Sequence, residues 1–584
     1  MSHCVLLVYA PIAPDTMGLS PPLGLLYLAS ALRSKSIPVR LFDLRYEENS
    51  WKTVVQAVST SEKCLVGFYC DSENLYRVLH LSDQLLRRFS QVTTVLGGPH
   101  VTHEWEPYVR DRRIVVRGEG EYSILLLAKH ILEGEKDIRR IPGIVYRYEG
   151  QIRKNPPFLG PYRNVDDIPY PDYSLLPASG YYIPAVITSR GCMYGCFFCS
   201  EGSGDRLYRP RSADNVEGEL IHLKEHYRGE LRYLAFNDDT FTASPDRVHE
   251  MCDVIDRVFP DKSCFRFFCE GRVDVLAGRP DLLMRLKEAG LVRLQIGIES
   301  GNQDMLDRIN KRTRVEQVQA VVADCANTGI PSVFGNFICG LPGQTKEDIE
   351  ADMIFAKRLA DLAPDRIELG VSILVPHLGT EFRINAQQWG LELLDENFVT
   401  GRMAETCFSE TSHLSKLDVE GLRNRFRDEI GDYILAKASP LLSPQKLKEL
   451  VVLAAESSAR SYVVKRFCQF LHFGRVYVMR GHPDYRFLFE VSTDAMPTCA
   501  PVSVMDNSVE PRDGAYLINR GSPFEFELTA SQMEYYHYFV GKLSFDEIAQ
   551  HMATRKGIPV SQAQKECEEV YLECEDCMAA VTLV

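Results

Sequence analysis

A secretory signal is missing: the first residues, MSHCVLLVYAPIAPDTMG, have no basic flank, no long apolar segment and no small-residue cleavage site. No run of about eighteen apolar residues occurs, so a membrane-spanning helix is not expected and no membrane partner is implied. The chain is expected to be cytoplasmic. Positive charge is the scarcer sign, with 66 Lys and Arg against 80 Asp and Glu and a formal net charge of -14. That balance argues against a sequence-independent hold on nucleic acid, which needs basic side chains to neutralise phosphates. Low-complexity tracts are also absent, and 584 residues at 45% hydrophobic content suffice for three or four packed domains. In a reducing compartment the 17 cysteines are not a disulfide framework, so scattered ones read as small core hydrophobes and clustered ones as metal or redox groups.

One cluster stands out in SRGCMYGCFFCS. Cys192, Cys196 and Cys199 are either three buried hydrophobes near a strand end or three thiolates on a metal. Gly191 and Gly195 favour the second reading, because they let the loop curl so that three sulfurs surround one centre. A structural zinc site takes four protein ligands, and no fourth cysteine or histidine lies nearby. Three cysteines suit a 4Fe-4S cluster with one iron open to an outside ligand.

This CxxxCxxC segment, with the aromatic Phe198 before its last cysteine, resembles that of the radical AdoMet (S-adenosylmethionine, SAM) enzymes. Its surroundings agree. IPAVITSRGC reads as a strand, SADNVEGELIHLKEHY as a helix with a Ser/Asp cap, and LRYLAFNDDTF as the next strand. FRFFCEGRVD, GLVRLQIGIESG, IPSVFGNFICGLPGQT and DRIELGVSILVPHLGT are further apolar runs ending in polar or glycine-rich turns. Buried parallel strands with amphipathic helices between them give a partial β/α barrel over residues 181–385. Polar groups just past such strand ends form the active face. Asp238, Asp239, Arg272, Glu299 and Ser300 fall there, and with Phe198 they match positions at which the family holds AdoMet. Each has a plainer reading: Asp238 or Asp239 as a helix cap, Arg272 as the partner of Asp274. The resemblance implies that the reduced cluster, chelated by AdoMet at its open iron, passes an electron that breaks a carbon-sulfur bond and yields a 5′-deoxyadenosyl radical.

Residues 1–160 alternate differently. HCVLLVYAP, PVRLFDL, CLVGFYC and QVTTVLGGPH are strand candidates separated by the helical PPLGLLYLASALRSK and SENLYRVLHLSDQLLRRFS. This predicts a doubly wound, Rossmann-like α/β sheet, which binds ligands at the carboxyl ends of its strands. PPLGLLYLASAL, LGGPHVTHEWE and VVRGEGEYS together resemble the cobalamin-binding domain that precedes the barrel in many radical AdoMet enzymes. The resemblance implies cobalamin contacts at Gly97, Gly98, Pro99, His100, Gly118 and Glu119. Mutase-type cobalamin domains carry Asp-x-His-x-x-Gly, whose histidine ligates cobalt from below; the comparable DLRYEENSW has no histidine. Tyr69, Cys70 and Asp71 are placed to face that lower side, or to pack ordinarily at a strand end. NVDDIPYPDY, within residues 161–180, reads as the linker.

Past residue 385 the strand pattern fades. DVEGLRNRFRDEIGDYILAKA and SPQKLKELVVLAAESSARSYVVKRFCQFL have helical spacing, giving a mainly helical cap over residues 386–500. Residues 501–584 form a small unit, GAYLINR and FEFELT followed by helical segments, which resembles the winged-helix domains that bind the leaders of ribosomally made peptides through an edge strand. Cys567, Cys574 and Cys577 share one helix face there, an apolar stripe or an auxiliary cluster or zinc site. Cys339 reads as barrel core.

Cobalamin and AdoMet in one chain imply methyl transfer to an unactivated carbon. The deoxyadenosyl radical takes a hydrogen atom from substrate, the substrate radical takes methyl from methylcobalamin, and a second AdoMet replenishes it. Two other readings stay open: a cobalamin-dependent radical rearrangement or cyclisation without methylation, and a non-catalytic cobalamin or redox sensor. The implied partners are a natural-product small molecule or a peptide as substrate, and an external electron donor of flavodoxin or ferredoxin type.

Overall fold

The computed structural model describes residues 3–11, 21–46, 50–157, 160–176, 183–201, 207–228, 231, 233–262, 265–395, 406–438, 441, 500–503, 509–512, 515–518, 526–536, 545–576 and 580–583. The first sheet contains β1 (His3–Tyr9), β2 (Val39–Asp43), β3 (Lys63–Tyr69), β4 (Val92–Gly97), β5 (Arg113–Val116), β6 (Ile144–Tyr148) and β7 (Gln151–Lys154), in the order β2-β1-β3-β4-β5-β6-β7. The first five strands are parallel and the last two antiparallel. Helices α1 (Leu23–Arg33), α2 (Trp51–Ser59), α3 (Leu75–Arg88), α4 (Pro99–His103) and α5 (Glu121–Ala128) connect or follow them. Cys4 to Val8 and Cys64 to Phe68 are buried without interruption, as strands covered on both faces require. The order reverses between β1 and β3. At such a reversal neighbouring connections leave on opposite faces and open a crevice at the carboxyl ends.

A second sheet has the order β15-β14-β13-β12-β11-β8. Its strands are β8 (Ala185–Val186), β11 (Tyr233–Phe236), β12 (Arg266–Gly271), β13 (Leu291–Glu299), β14 (Ser332–Cys339) and β15 (Ile367–Ile373); β9 (Ser189–Arg190) and β10 (Arg209–Pro210) form a separate antiparallel pair. The pairs β8–β11, β11–β12 and β12–β13 are parallel. This is the expected partial barrel. The IPAVITSRGC strand is broken into β8 and β9, because Thr188 and Ser189 are committed to the side chain of Asp238. Helix α6 (Ala213–His226) starts as its sequence indicates, with Ser212 accepting from the Asn215 backbone N–H. Cys339 is core, as expected.

Residues 161–176 are packed rather than slack. Asp166 accepts from the Ser212 N–H at 2.9 Å, and the Tyr173 hydroxyl donates to the Ala185 carbonyl and accepts from the Ala185 N–H, both at 2.9 Å.

After the barrel, a helix spans Lys416–Ala438, within the expected helical stretch. The SPQKLKELVV segment lies outside the described residues. In the C-terminal part, Val509–Arg512, Ala515–Ile518 and Phe526–Thr529 form an antiparallel meander, and Ala500–Ser503 pairs with Ala580–Leu583. Helices Ala530–Tyr536, Phe545–Lys556 and Val560–Asp576 follow the meander. This part has its own core, in which Leu528, Met533, Ile548, Met552, Cys567 and Val570 are buried. Burial pushes the Cys567 thiol up to about 12, which suits a core hydrophobe rather than a metal ligand. The Cys574 side chain and Cys577 lie outside the described residues. No helix among the described residues is long and apolar enough to cross a membrane.

Candidate active site

The cysteine loop follows β9 and begins at Gly191, whose φ is +77°; a Cβ there would stand 2.3 Å from the Leu207 carbonyl oxygen. Only glycine meets both demands. The loop is fastened to the barrel at three points: Asn310 Nδ2 donates to the Gly195 carbonyl at 2.6 Å, the Phe197 N–H to the Ile309 carbonyl at 3.1 Å, and the Phe382 N–H to the Phe197 carbonyl at 3.3 Å. Phe197 is wedged against Phe382 and Trp389, and Phe198 packs against the same cluster. Backbone bonds and aromatic packing together hold the loop without using its thiols.

Cys192, Cys196 and Cys199 are half-buried and, among the described residues, form no disulfide. The Cys199 N–H donates to the Cys196 carbonyl at 3.1 Å, closing a turn, and Cys192 Sγ lies 3.5 Å from Thr240 Oγ1. Burial raises the Cys196 thiol while the charges of Lys311 and Arg272 pull the other way, as a thiolate ligand would need. Among the described residues no three such side chains converge on a point, as a single metal ion would require. A 4Fe-4S cluster seats each thiolate on its own iron, and three half-buried thiols on one loop held by its backbone fit that group.

The five barrel residues divide. Asp238 is buried and spent on the fold, accepting from the Thr188 N–H at 3.0 Å, the Thr188 hydroxyl at 2.8 Å and the Ser189 hydroxyl at 2.6 Å. Ser300 is fully buried and donates to Asp352 Oδ1 at 2.8 Å. Asp239 instead lines a cavity, where desolvation and the neighbouring Glu201 push its carboxyl up to about 6. Glu299 ends β13 at a φ of +65° and accepts from Lys311 Nζ at 2.6 Å. A non-glycine residue in that region is strained, and such outliers gather at functional sites. Arg272 does pair with Asp274, at 2.8 Å; it also donates to the Lys311 carbonyl at 3.0 Å and lies 3.7 Å over the Tyr194 ring in the cysteine loop. The plainer reading of Arg272 therefore holds together with a role beside the cluster loop. Lys311 was not legible in the sequence, since it follows a strand by twelve residues and belongs to no motif.

A cavity of about 360 Å³ opens at the carboxyl ends of β1, β3, β4 and β5. Tyr69, Gly97, Gly98, Gly118 and Glu119 line it from the first sheet. Ile187, Ser189, Arg190, Gly191, Asn237 and Asp239 close it from the barrel. Bare backbone at Gly67, Gly97, Gly98 and Gly118 lets a flat, bulky ligand lie close. The cavity's largely apolar lining with a glycine-rich floor suits a flat macrocycle.

Four of the expected cobalamin contacts do not reach that lining. Cys70 is fully buried, and Asp71 exchanges hydrogen bonds with Asn74 at the start of α3. Pro99 opens α4. The His100 ring is buried, with Nδ1 2.8 Å from the Ser72 hydroxyl and Nε2 3.1 Å from that of Tyr108 and 3.3 Å from Glu104. Burial lowers the pKa of His100, so it serves as a neutral hydrogen-bonding core residue. Glu121 and Arg190, not anticipated from the sequence, take part instead: Arg190 donates to Glu121 at 2.6 Å and pairs with Glu119 at 3.2 Å.

Comparison with known proteins agrees with this layout. Residues 186–356 match the radical SAM superfamily and residues 15–128 the B12 binding domain. An uncharacterized methyltransferase of Pyrococcus horikoshii (PH0819) is 31% identical over 348 residues, 58% of this chain and 73% of its own. The chain belongs to the cobalamin-dependent radical SAM enzymes of the methyltransferase type. As a member it uses a 4Fe-4S cluster, AdoMet and cobalamin. The anaerobic magnesium-protoporphyrin IX monomethyl ester cyclase of Rubrivivax gelatinosus is 27% identical, and the match covers 59% of this chain and 63% of the cyclase. The cobalamin-dependent S-adenosylmethionine radical enzyme OxsB, solved with aqua-cobalamin and S-adenosylmethionine bound, superposes with a TM-score of 0.60 at 17% identity, over 77% of this chain and 70% of OxsB. That last likeness concerns the fold.

Proposed function

We propose that this radical SAM enzyme transfers a methyl group to an unactivated carbon of a natural-product small molecule or a ribosomal peptide, with an external electron donor of flavodoxin or ferredoxin type. The observation that carries the reading is the shared wall. Arg190 and Gly191, which lead directly into Cys192, the first of the proposed cluster ligands, also line the cavity proposed for cobalamin. When bound, the cluster with AdoMet supplies a hydrogen-abstracting radical and cobalamin supplies the methyl group. The chain's share is to hold these groups in one enclosure and exclude water: Ile187 and the strand ends of β3 and β4 give the cavity apolar walls, and the pinned cysteine loop fixes one boundary.

The experiment uses reconstituted protein, reductant and AdoMet carrying a deuterated methyl group. Formation of deuteromethylcobalamin with S-adenosylhomocysteine supports methyl transfer. If 5′-deoxyadenosine forms while no labelled methyl ever reaches cobalamin, the rearrangement or cyclisation reading replaces it; the Rubrivivax relative is named a cyclase. A protein that binds cobalamin and cleaves no AdoMet is a sensor.

For the C-terminal part, a three-stranded meander followed by three helices supports the peptide-leader reading, because among the described residues no further strand pairs with its outer strands, whose backbone could take an added one.

A further inference from the structure

A chain of polar contacts runs from the floor of the cavity to the cluster loop. It begins at Thr102, whose hydroxyl donates to the Gly98 carbonyl at 2.9 Å and accepts from the Gly118 N–H at 3.0 Å. The two glycine-bearing loops of the first sheet are thus tied by a single side chain. Next to Gly118, Glu119 pairs with Arg190 at 3.2 Å and with Arg209, while Glu121, at the start of α5, accepts from Arg190 at 2.6 Å. The Arg190 guanidinium also lies 5.1 Å over the ring of Tyr27 in α1. Two residues further on stands Cys192. Two carboxylates face two guanidiniums in a site where Arg190 and Arg209 are each about 15% exposed and Glu121 is 7% exposed. With so little water to screen them, removing one charge leaves the others uncompensated.

We propose that Arg190 is a positioning residue: clamped by Glu119 and Glu121, it fixes the distance between the cobalamin cavity and the cluster loop. A planar fork reaching two carboxylates on one loop sets direction as well as distance, which a lysine ammonium, a point charge on a flexible stem, does not. The contacts on either side are rigid. Ser189 and Arg190 are paired strand to strand with Pro210 and Arg209, and beyond Gly191 the loop is held at Gly195 and Phe197. A shift of the Gly118–Glu121 loop is therefore passed to Cys192 rather than absorbed.

The inference rests on both cofactors being bound, and its readout is the magnetic interaction between them. In the full chain loaded with cobalamin and reconstituted with iron and sulfide, the reduced cluster speeds the spin relaxation of cob(II)alamin to a degree set by their separation. Arg190→Lys is expected to retain wild-type cobalamin and iron content and to lose this enhancement severalfold, with a broadened distribution. Glu119→Gln, which leaves Arg190 on Glu121, should show a smaller loss. Full content with unchanged relaxation in both variants overturns the proposal. Loss of either cofactor from both variants overturns it as well, since Arg190 would then serve stability alone. Wild-type protein that holds no cobalamin would count against the cofactor assignment instead.

Discussion

The backbone of Gly98 lies against that of Cys70: a Cβ on Gly98 would stand 2.4 Å from the Cys70 carbonyl oxygen, and its φ of +134° is one that side chains avoid. The contact brings the ends of β3 and β4 together at the cavity floor, where the Cys70 N–H donates to the Gly97 carbonyl at 2.8 Å. Gly98→Ala is expected to incur the penalty of an essentially glycine-only backbone region, on the order of 1–3 kcal/mol, plus the cost of the collision. Cobalamin affinity should fall at least tenfold while reconstituted iron content stays at the wild-type level. Visible spectroscopy of the bound corrin checks it, and unaltered affinity would show that the floor adapts.

Replacing Cys192, Cys196 and Cys199 together by alanine should abolish the iron-sulfur absorbance and AdoMet cleavage, with cobalamin still bound. The loop's backbone is held by Asn310, Ile309 and Phe382 rather than by its thiols, so the fold is expected to survive. Retained cluster absorbance in the anaerobically purified variant would contradict the assignment.

Cobalt is expected to lack a histidine below it. No Asp-x-His-x-x-Gly is present, and His100 is enclosed by Ser72, Glu104 and Tyr108. The electron paramagnetic resonance spectrum of bound cob(II)alamin should therefore show no nitrogen splitting from a protein histidine. Splitting that disappears in His100→Ala would refute this.

Glu270 ends up inside the barrel sheet, where burial, reinforced by the Asp239 carboxylate, pushes it up to about 7; Gln295 Nε2 donates to it at 2.8 Å. Its folded pKa lies above the usual glutamate value of about 4.3, so the folded state keeps this proton to higher pH than the unfolded chain does. The stability it contributes is complete below that value and is lost as pH rises through about 7. In cofactor-free protein, Glu270→Gln should raise the urea midpoint relative to wild type more at pH 8 than at pH 5. A pH-independent difference would show that Glu270 is ordinarily solvated.

Deleting residues 501–584 tests the peptide reading. Reductive AdoMet cleavage without substrate should persist, while turnover of a full precursor peptide falls at least tenfold. Efficient methylation of a free small molecule by the intact enzyme, with no leader bound by the excised unit in calorimetry, would make a small-molecule methylase the better description.

Much of the architecture was legible because parallel strands buried on both faces write themselves as unbroken apolar runs, as in CLVGF. β5 to β7 were not anticipated: β5 has only four residues, and two antiparallel additions at a sheet edge carry no crossover helix to announce them. At the site, the triad was readable because its spacing is local. The roles of Asp238 and Asp239 were separable in principle, since Leu234, Phe236 and Asp238 share one parity along the strand and all three are buried. What no local pattern announces is a partner far along the chain. Ser300 meets Asp352, Glu299 meets Lys311, and Arg190 meets Glu121 across 69 positions.

The packed connection over residues 161–176 bears on how such proteins can be recombined. Tyr173 is bonded to both backbone groups of Ala185, Asp166 holds the first turn of α6, and Asp172 is paired with Arg33 of α1. A Cβ on Gly218 of α6 would already lie 2.4 Å from the Tyr170 hydroxyl. The segment is a fitted joint with a surface on each neighbour. A chimera that exchanges the N-terminal domain at a seam inside it would inherit half a joint, so a working graft has to carry Asp166 to Tyr173 together with the α6 surface they grip.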